Sequence, residues 1–436
     1  MARRRVLLDV GPLRRSRDLR LLVAGQFVSI IGTQLTAVAV PFEVYRITHS
    51  SLQVGLVSLV QLVPLLIGSL VGGSVVDAVD RRRLLLVVET LMACSSAGLA
   101  LDADLGLALW PLYVLPALTA GLSGFDSPAR GAIVPNLVAR SEFPAANAMV
   151  QAMFQVGSIV GPAVGGLLLA GAGVKVVFWL DAASFLVCVS AVSFMGPQRP
   201  HGGGQRAGIR SIADGMRFVR GRQAIQGAYL IDVDAMVFGM PRALFPALGT
   251  TVFGGGASTV GLLYAAPGVG AAIGAVTTGW AGSVRRQGRA VIVAVVAWGA
   301  AIAAFGVVRW LPAALVLLAV AGWADVISAV FRNTIIQLAT PDNLRGRLAA
   351  LQIAVVTGGP RLGDAEAGAV ATGFGAEASV VSGGVLCIVG ALALARALPG
   401  FRTQVAAPHD DAPPSTSEEA VSGAVEELEP GAGGPG

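Results

Sequence analysis

The chain is short of charge, histidine and cysteine, and each shortage closes off a class of function. Only 13% of its 436 residues are Asp, Glu, Lys or Arg, against ~25% in an ordinary soluble domain. The three histidines, His49, His201 and His409, and the three cysteines, Cys94, Cys188 and Cys387, lie far apart in sequence. Neither a disulfide framework nor a metal site is expected from that spacing, and the cysteines read as small buried hydrophobes. No stretch matches the G-x-x-x-x-G-K-[ST] phosphate loop, which argues against ATP hydrolysis by this chain as an energy source. No cofactor is implied, and nothing points to an enzyme.

Apolar residues fill the space: 54% of the chain, with a mean hydropathy of +0.72. They recur in segments of about 20 residues, each long enough to cross a ~30 Å hydrocarbon core as a helix. Twelve such spans are expected, at roughly 19–44, 53–77, 84–103, 107–128, 146–171, 174–195, 224–250, 259–282, 289–308, 311–333, 347–374 and 377–398. The runs do not alternate, so a transmembrane β-barrel is excluded. The fold class is all-α, polytopic and membrane-embedded. The basic start MARRRVLLDVGPLRRSRDLR lacks a short apolar core with a cleavage site, so the first span is read as retained.

Arginine sets the orientation, because Lys and Arg stay on the cytoplasmic side of short loops. With the N-terminus inside, Arg81, Arg82, Arg83, Arg140, Arg217, Arg285, Arg286, Arg345 and nearly all the rest fall on that side. Only Arg46, Lys175 and Arg309 fall opposite, while Arg242 and Arg361 lie within spans. Both termini are therefore expected in the cytoplasm. The net charge of +5 then speaks of cytoplasmic loops and anionic lipid rather than nucleic acid. Residues 403–436 are acidic, rich in Pro, Gly and Ser, and free of Lys and Arg. They read as a disordered tail, inert or shielding the basic face.

The second half repeats the first. VGLVSLVQLVPLLIGSLVGGSVVDAVDRRR from Val54 aligns without a gap on VGLLYAAPGVGAAIGAVTTGWAGSVRRQGR from Val260. RGAIVPNLVARSEF from Arg130 parallels RNTIIQLATPDNL from Arg332, and GPAVGG from Gly161 parallels GPRLGD from Gly359. The expected organisation is a basic cytoplasmic N-terminus (1–18), a six-helix half (19–195), a basic cytoplasmic linker (196–223), a second six-helix half (224–402) and the tail (403–436). Two halves in the same orientation imply a pseudo-two-fold axis along the membrane normal, the plan of rocking carriers with a central site.

Specific motifs carry a resemblance. GGSVVDAVDRRRLLL, Gly72 to Leu86, resembles the signature after the second helix of the major facilitator superfamily, with Gly73, Asp77, Arg81 and Arg82 in matching positions. The resemblance implies that Asp77 faces the start of the eleventh helix as a cytoplasmic latch, either weakened by the missing charge at Ala78 or completed by Arg81 and Arg82 with Asp126. Ala78 and Asp80 depart from the pattern. A solvated turn with topogenic arginines is the plainer alternative. QVGSIVGPAVGG on the fifth span, with Gly157, Gly161, Pro162, Gly165 and Gly166, resembles the antiporter signature of drug exporters; small-residue packing would look similar. THSSLQVGL, DGMRFVRG and GLLYAAPGVGAAIGA resemble the enterobactin-exporter family, which exports siderophores and grades into macrolide and tetracycline efflux carriers. The resemblance implies a secondary active exporter of a small organic molecule. An importer, or a non-transporting sensor or scaffold keeping the fold, would stand as the alternatives. A monomer is the expected state.

Charges inside spans are costly, ~2.5–3.5 kcal/mol each on insertion scales, and face a partner or a wet cavity. The seventh span holds Asp232, Asp234 and Arg242, and the eleventh holds Arg361, Asp364 and Glu366. No histidine lies mid-membrane, so carboxylates must carry protons if a proton gradient drives transport. Arg361 and Asp364, at i and i+3, can pair on one helix face. They are expected to form a charge cluster with Asp232 or Asp234, either coupling protons to substrate or only pinning two helices together. Glu43, Gln26 and Gln34 on the first span are weaker candidates for ligand contact.

Overall fold

Short polar turns stop each apolar run and start the next. Ser16 accepts the Leu19 N–H and opens α1 (Arg17–Thr48); His49, at φ 50°, closes it by donating its backbone N–H to Tyr45 O. Ser50 then caps α2 (Ser51–Ala78), and Asp80 caps α3 (Arg81–Leu105) through the N–H groups of Arg82 and Arg83. These side chains satisfy donors that a helix start leaves free. α4 (Pro111–Leu137), α5 (Phe143–Gly171) and α6 (Val174–Ser193) complete the first half. The second half comprises α7 (Gln223–Phe238), α8 (Gly256–Thr277), α9 (Gln287–Phe305), α10 (Leu311–Ala339), α11 (Arg345–Phe374) and α12 (Ala376–Ala397). This computed structural model describes residues 11–106, 108–199, 216–341 and 344–405. Most of the linker and of the tail, and the first ten residues, lie outside them.

Among the described residues there is no strand, and nine helices are long and apolar enough to cross a membrane. The other three positions are α4, α7 and α11. α4 carries three internal prolines with Asp126 and Arg130, α11 carries Arg361, Asp364 and Glu366, and α7 has only 16 residues.

The seventh span is not the single helix expected over 224–250. It stops at Phe238, and after Gly239–Pro241 the chain winds through a 3₁₀ turn (Arg242–Leu244) and a π turn (Leu248–Val252). Pro241 has no N–H and pushes the preceding residue out of the helical region. The two freed backbone groups are taken up by side chains: Trp298 Nε1 donates to Gly239 O at 2.8 Å, and the Ala243 N–H donates to Asp364 at 2.9 Å. Away from water such groups must be satisfied internally.

The packing repeats in parallel. α2 packs on α4, and α3 on α4 and α6; likewise α8 packs on α10, and α9 on α10 and α12. A buried cluster from Ile225 to Phe401 belongs wholly to the second half, while the others lie in the first, with Ala243 and Ala257 reaching across. The halves meet through α2–α11 and α5–α8. Their closest backbone approaches, Gly55 to Asp364, Gly368 to Ser51 and Gly166 to Gly261, all fall toward the end that carries residues 49–51, 172–173 and 375. Large apolar side chains face outward around the bundle, among them Val63 at 61% and Leu167 at 65% exposure, as a hydrocarbon solvent requires.

Candidate functional site

Between the halves lies a cavity of about 590 Å³, within the ~300–1,000 Å³ of small-molecule sites. The first half contributes Gln34, Ser58, Gln61, Gln155 and Asp181; the second contributes Arg242, Tyr264, Asp325, Arg361 and Asp364. Phe154, Met240, Phe245 and Trp298 supply an apolar wall.

Asp364 is buried, and its two oxygens are held from both halves. Ser58 Oγ on α2 donates at 2.7 Å and the Ala243 N–H of the α7 break at 2.9 Å. The expected Arg361–Asp364 ion pair is not formed. Arg361 Nη1 donates to Thr357 O at 2.7 Å one turn back, its Nε is buried without a partner, and no carboxylate is within ion-pair distance among the described residues. Spacing of i and i+3 permits a pair, but two neutral donors already satisfy Asp364. Arg242 is exposed to the cavity, and its carbonyl accepts the Tyr264 hydroxyl at 3.0 Å.

The expected cluster of these groups with Asp232 or Asp234 is also corrected. Asp232 lies 2.8 Å from Arg332 Nη2 on α10 and accepts from Gln352 at 3.2 Å. Asp234, two residues on and so on another face, lies against Gly390 of α12, where a side chain would strike it. Glu366 is half-buried and does not line the cavity. Gln34 does, whereas Glu43 pairs with Arg46 at 2.6 Å.

Arg332 has a counterpart in the first half. Arg130 is 5% exposed; it binds Glu89 of α3 and, at 2.8 Å, Asp126 one turn back. Arg332 is 2% exposed, binds Asp232 of α7, and donates to Ser328 one turn back at 2.7 Å. The repeat aligns these two arginines, and that alignment was the sequence signal for a shared role. Asp126 is thereby engaged by Arg130 rather than by Arg81 or Arg82.

Arg81 donates to Ala132 O at 3.1 Å, and Arg82 to Val192 O at 3.1 Å and Ser193 O. These bonds tie the start of α3 to the ends of α4 and α6. Asp77 is exposed and makes no hydrogen bond among the described residues, and Gly73 is half-buried nearby. The side chains at the start of α11, Asp77's expected partner, fall outside the described residues. On α5, Gly157, Gly161 and Gly165 lie against Ile30, Gln34 and Leu35 of α1, Gly166 lies against Gly261 of α8, and Pro162 is buried between them. The small residues let α5 sit tightly between two helices that line the cavity.

A family described as transmembrane secretion effectors matches residues 9–425. The enterobactin exporter EntS of Citrobacter koseri is 30% identical over 394 residues, 90% of this chain and 94% of that protein. EntS of Escherichia coli O9:H4 is 29% identical over 390 residues, 89% and 94% of the two chains. In fold, the chain is similar to a bacterial homologue of the human lysosomal transporter Spinster, crystallised inward-facing and unoccupied. The TM-score is 0.72 and the identity 14%, covering 92% of this chain and 100% of that one. The nucleoside transporter NupG gives a TM-score of 0.67 at 12% identity, over 87% and 98%.

Proposed function

The chain belongs to the transmembrane secretion effector family of major facilitator transporters, and from that premise we propose that it is a proton-coupled exporter of an anionic small molecule, a siderophore of the enterobactin type. It is a membrane transporter and not an enzyme. The observation that carries the substrate class is Arg361, a cavity guanidinium with a buried, unpartnered Nε and no carboxylate paired to it. A guanidinium with no carboxylate of its own in a low-dielectric cavity suits a carboxylate or catecholate, and Arg242 adds a second positive charge on the same wall.

The protein works as a monomer in the cell membrane, surrounded by lipid, with both termini cytoplasmic. In that orientation the close approaches at Gly55–Asp364, Gly368–Ser51 and Gly166–Gly261 seal the outer end. The cavity then stands open for loading from the cytoplasm. Transport rocks the six-helix halves 19–195 and 224–402 about it. Asp364, bonded to Ser58 across the interface, holds α11 against α2 until substrate rearranges the neighbouring arginine. The wall of Phe154, Phe245 and Trp298 favours a second substrate reading, amphiphilic drug-like compounds.

Metabolite profiling of a deletion strain under iron limitation tests the assignment. An iron chelator should disappear from the medium and accumulate in the cells; unchanged chelators would remove the siderophore and turn attention to antibiotic resistance. In a binding assay with enterobactin, Arg361→Ala is expected to weaken affinity by ~1.5–3 kcal/mol, the range of a hydrogen bond to a charged group. Arg361→Lys should recover the charge but not the forked geometry. An unchanged Kd for Arg361→Ala would remove the arginine from the site.

A further inference from the structure

Three carboxylates line the cavity among the described residues: Asp181, Asp325 and Asp364. Asp325 lies 3.9 Å from Arg332, and Asp364 shares its wall with Arg242 and Arg361. Asp181 differs from both. It is 2% exposed at the middle of α6, and no ion pair to it is present among the described residues. Both of its hydrogen bonds go to one oxygen: Thr36 Oγ1 of α1 and Ser96 Oγ of α3 each donate to Oδ2 at 2.7 Å. Oδ1 is buried without a partner and lies over Gly32 of α1, where an added Cβ would come within 2.7 Å of it.

No charge on the surrounding helices compensates it. α1 carries charge only toward its ends, at Arg17, Asp18 and Arg20 and at the Glu43–Arg46 pair. On α3, Glu89 is bound to Arg130 and Asp104 to Lys175; Asp102 accepts the Ala108 N–H near the helix end, and Arg81, Arg82 and Arg83 sit at its start. α5 has no charged residue. A bare carboxylate is costly in hydrocarbon when a cation does not pair with it. Two hydroxyl donors on one oxygen and a second oxygen buried without a donor form a slot suited to a carboxylic acid that ionises when cavity water reaches it.

We propose that Asp181 is the proton-carrying group of the transport cycle. One proton binds Oδ1 while the cavity faces outward and leaves to the cytoplasm after the halves rock; the group alternates between neutral acid and carboxylate. Thr36 and Gly32 place it directly against α1, whose Gln34 lines the cavity and abuts Gly161 of α5. Ionisation strengthens the Thr36 Oγ1 bond to Asp181 Oδ2 and protonation weakens it, which links the proton to the packing of α1, the helix that meets substrate. The coupling role rests on the proton-driven exporter proposed above.

Two experiments on the full chain separate the proposals. The first needs no substrate: infrared difference spectra of the protein in lipid, recorded across a pH change, should contain a protonated-carboxyl carbonyl band. Part of that band should vanish in Asp181→Asn and persist in Asp234→Asn. If Asp181→Asn does not fold, Thr36→Val with Ser96→Ala keeps the carboxyl but removes both donors to its ionised form, and should move the band's titration midpoint upward in pH. A spectrum unchanged in Asp181→Asn, or in that double variant, overturns the proposal. The second uses proteoliposomes and enterobactin. Asp181→Asn should retain substrate exchange at equal pH and lose accumulation driven by a pH gradient; retained gradient-driven accumulation overturns the assignment. Should the parent protein fail to move enterobactin, the exporter reading is at fault, and the infrared result alone decides Asp181.

Discussion

Arg332→Met is expected to lower the stability of the folded protein by ~3–5 kcal/mol, the cost of breaking a buried ion pair from one side. Arg332 is 2% exposed and Asp232 1%, so the carboxylate left behind can reach neither water nor another cation. Asp325, 3.9 Å from the same guanidinium, loses its cation as well. Thermal unfolding in detergent would show the loss. Asp232→Asn in the same chain should recover part of it by removing the stranded charge. Replacing the pair with Met and Leu together should recover the part of the loss that comes from Asp232, since well-packed apolar groups often match a buried pair, while Asp325 stays without its cation. The mirror experiment at Arg130 should cost as much, because Arg130 leaves both Glu89 and Asp126 unpaired. A melting curve for Arg332→Met that overlays the parent would show that the pair contributes nothing.

Gly261→Leu should hold the bundle open at the end that is closed here, and with it stop transport. The Cβ alone would lie 2.6 Å from Gly166 Cα and 2.6 Å from Pro162 O. The obstruction is backbone, which cannot swing aside as a flexible side chain can. Overpacking of this kind costs ~1–3 kcal/mol where the surroundings can move. Here they can move by separating α5 from α8, the step that opens the seal. A bias of ~1.4 kcal/mol is already tenfold in population. Spin labels at Gln53 on α2 and Thr372 on α11, in a background without Cys94, Cys188 and Cys387, would report a longer distance. Gly171→Leu, at the end of α5 with nothing within 4 Å, should leave the distance and transport unchanged. An unaltered distance in Gly261→Leu would show that α5 and α8 do not form the seal.

The sequence by itself settled the parts of this protein that depend on one dimension. Apolar segments of about 20 residues have few ways to satisfy their backbone in hydrocarbon, so the helices and their order followed from hydropathy. The repeat that aligns Gly55 with Gly261 and Arg130 with Arg332 carried the two-half plan, and the closely spaced glycines of α5 carried its tight packing. The break at Pro241 was not anticipated, since 224–250 reads as one apolar span. Only the fold shows that the freed Ala243 N–H goes to Asp364 and the freed Gly239 carbonyl to Trp298.

The charges were decided by the tertiary structure. Arg361 and Asp364 are three residues apart, but Asp364 found Ser58, 306 residues away, and Arg361 turned back to Thr357. Asp232 took Arg332 from another helix, and Asp181 settled between Thr36 and Ser96. Partner choice inside a bundle depends on the rotation and depth of each helix against its neighbours. Those are set by close glycine contacts between distant segments, and spacing along a single helix carries no record of them.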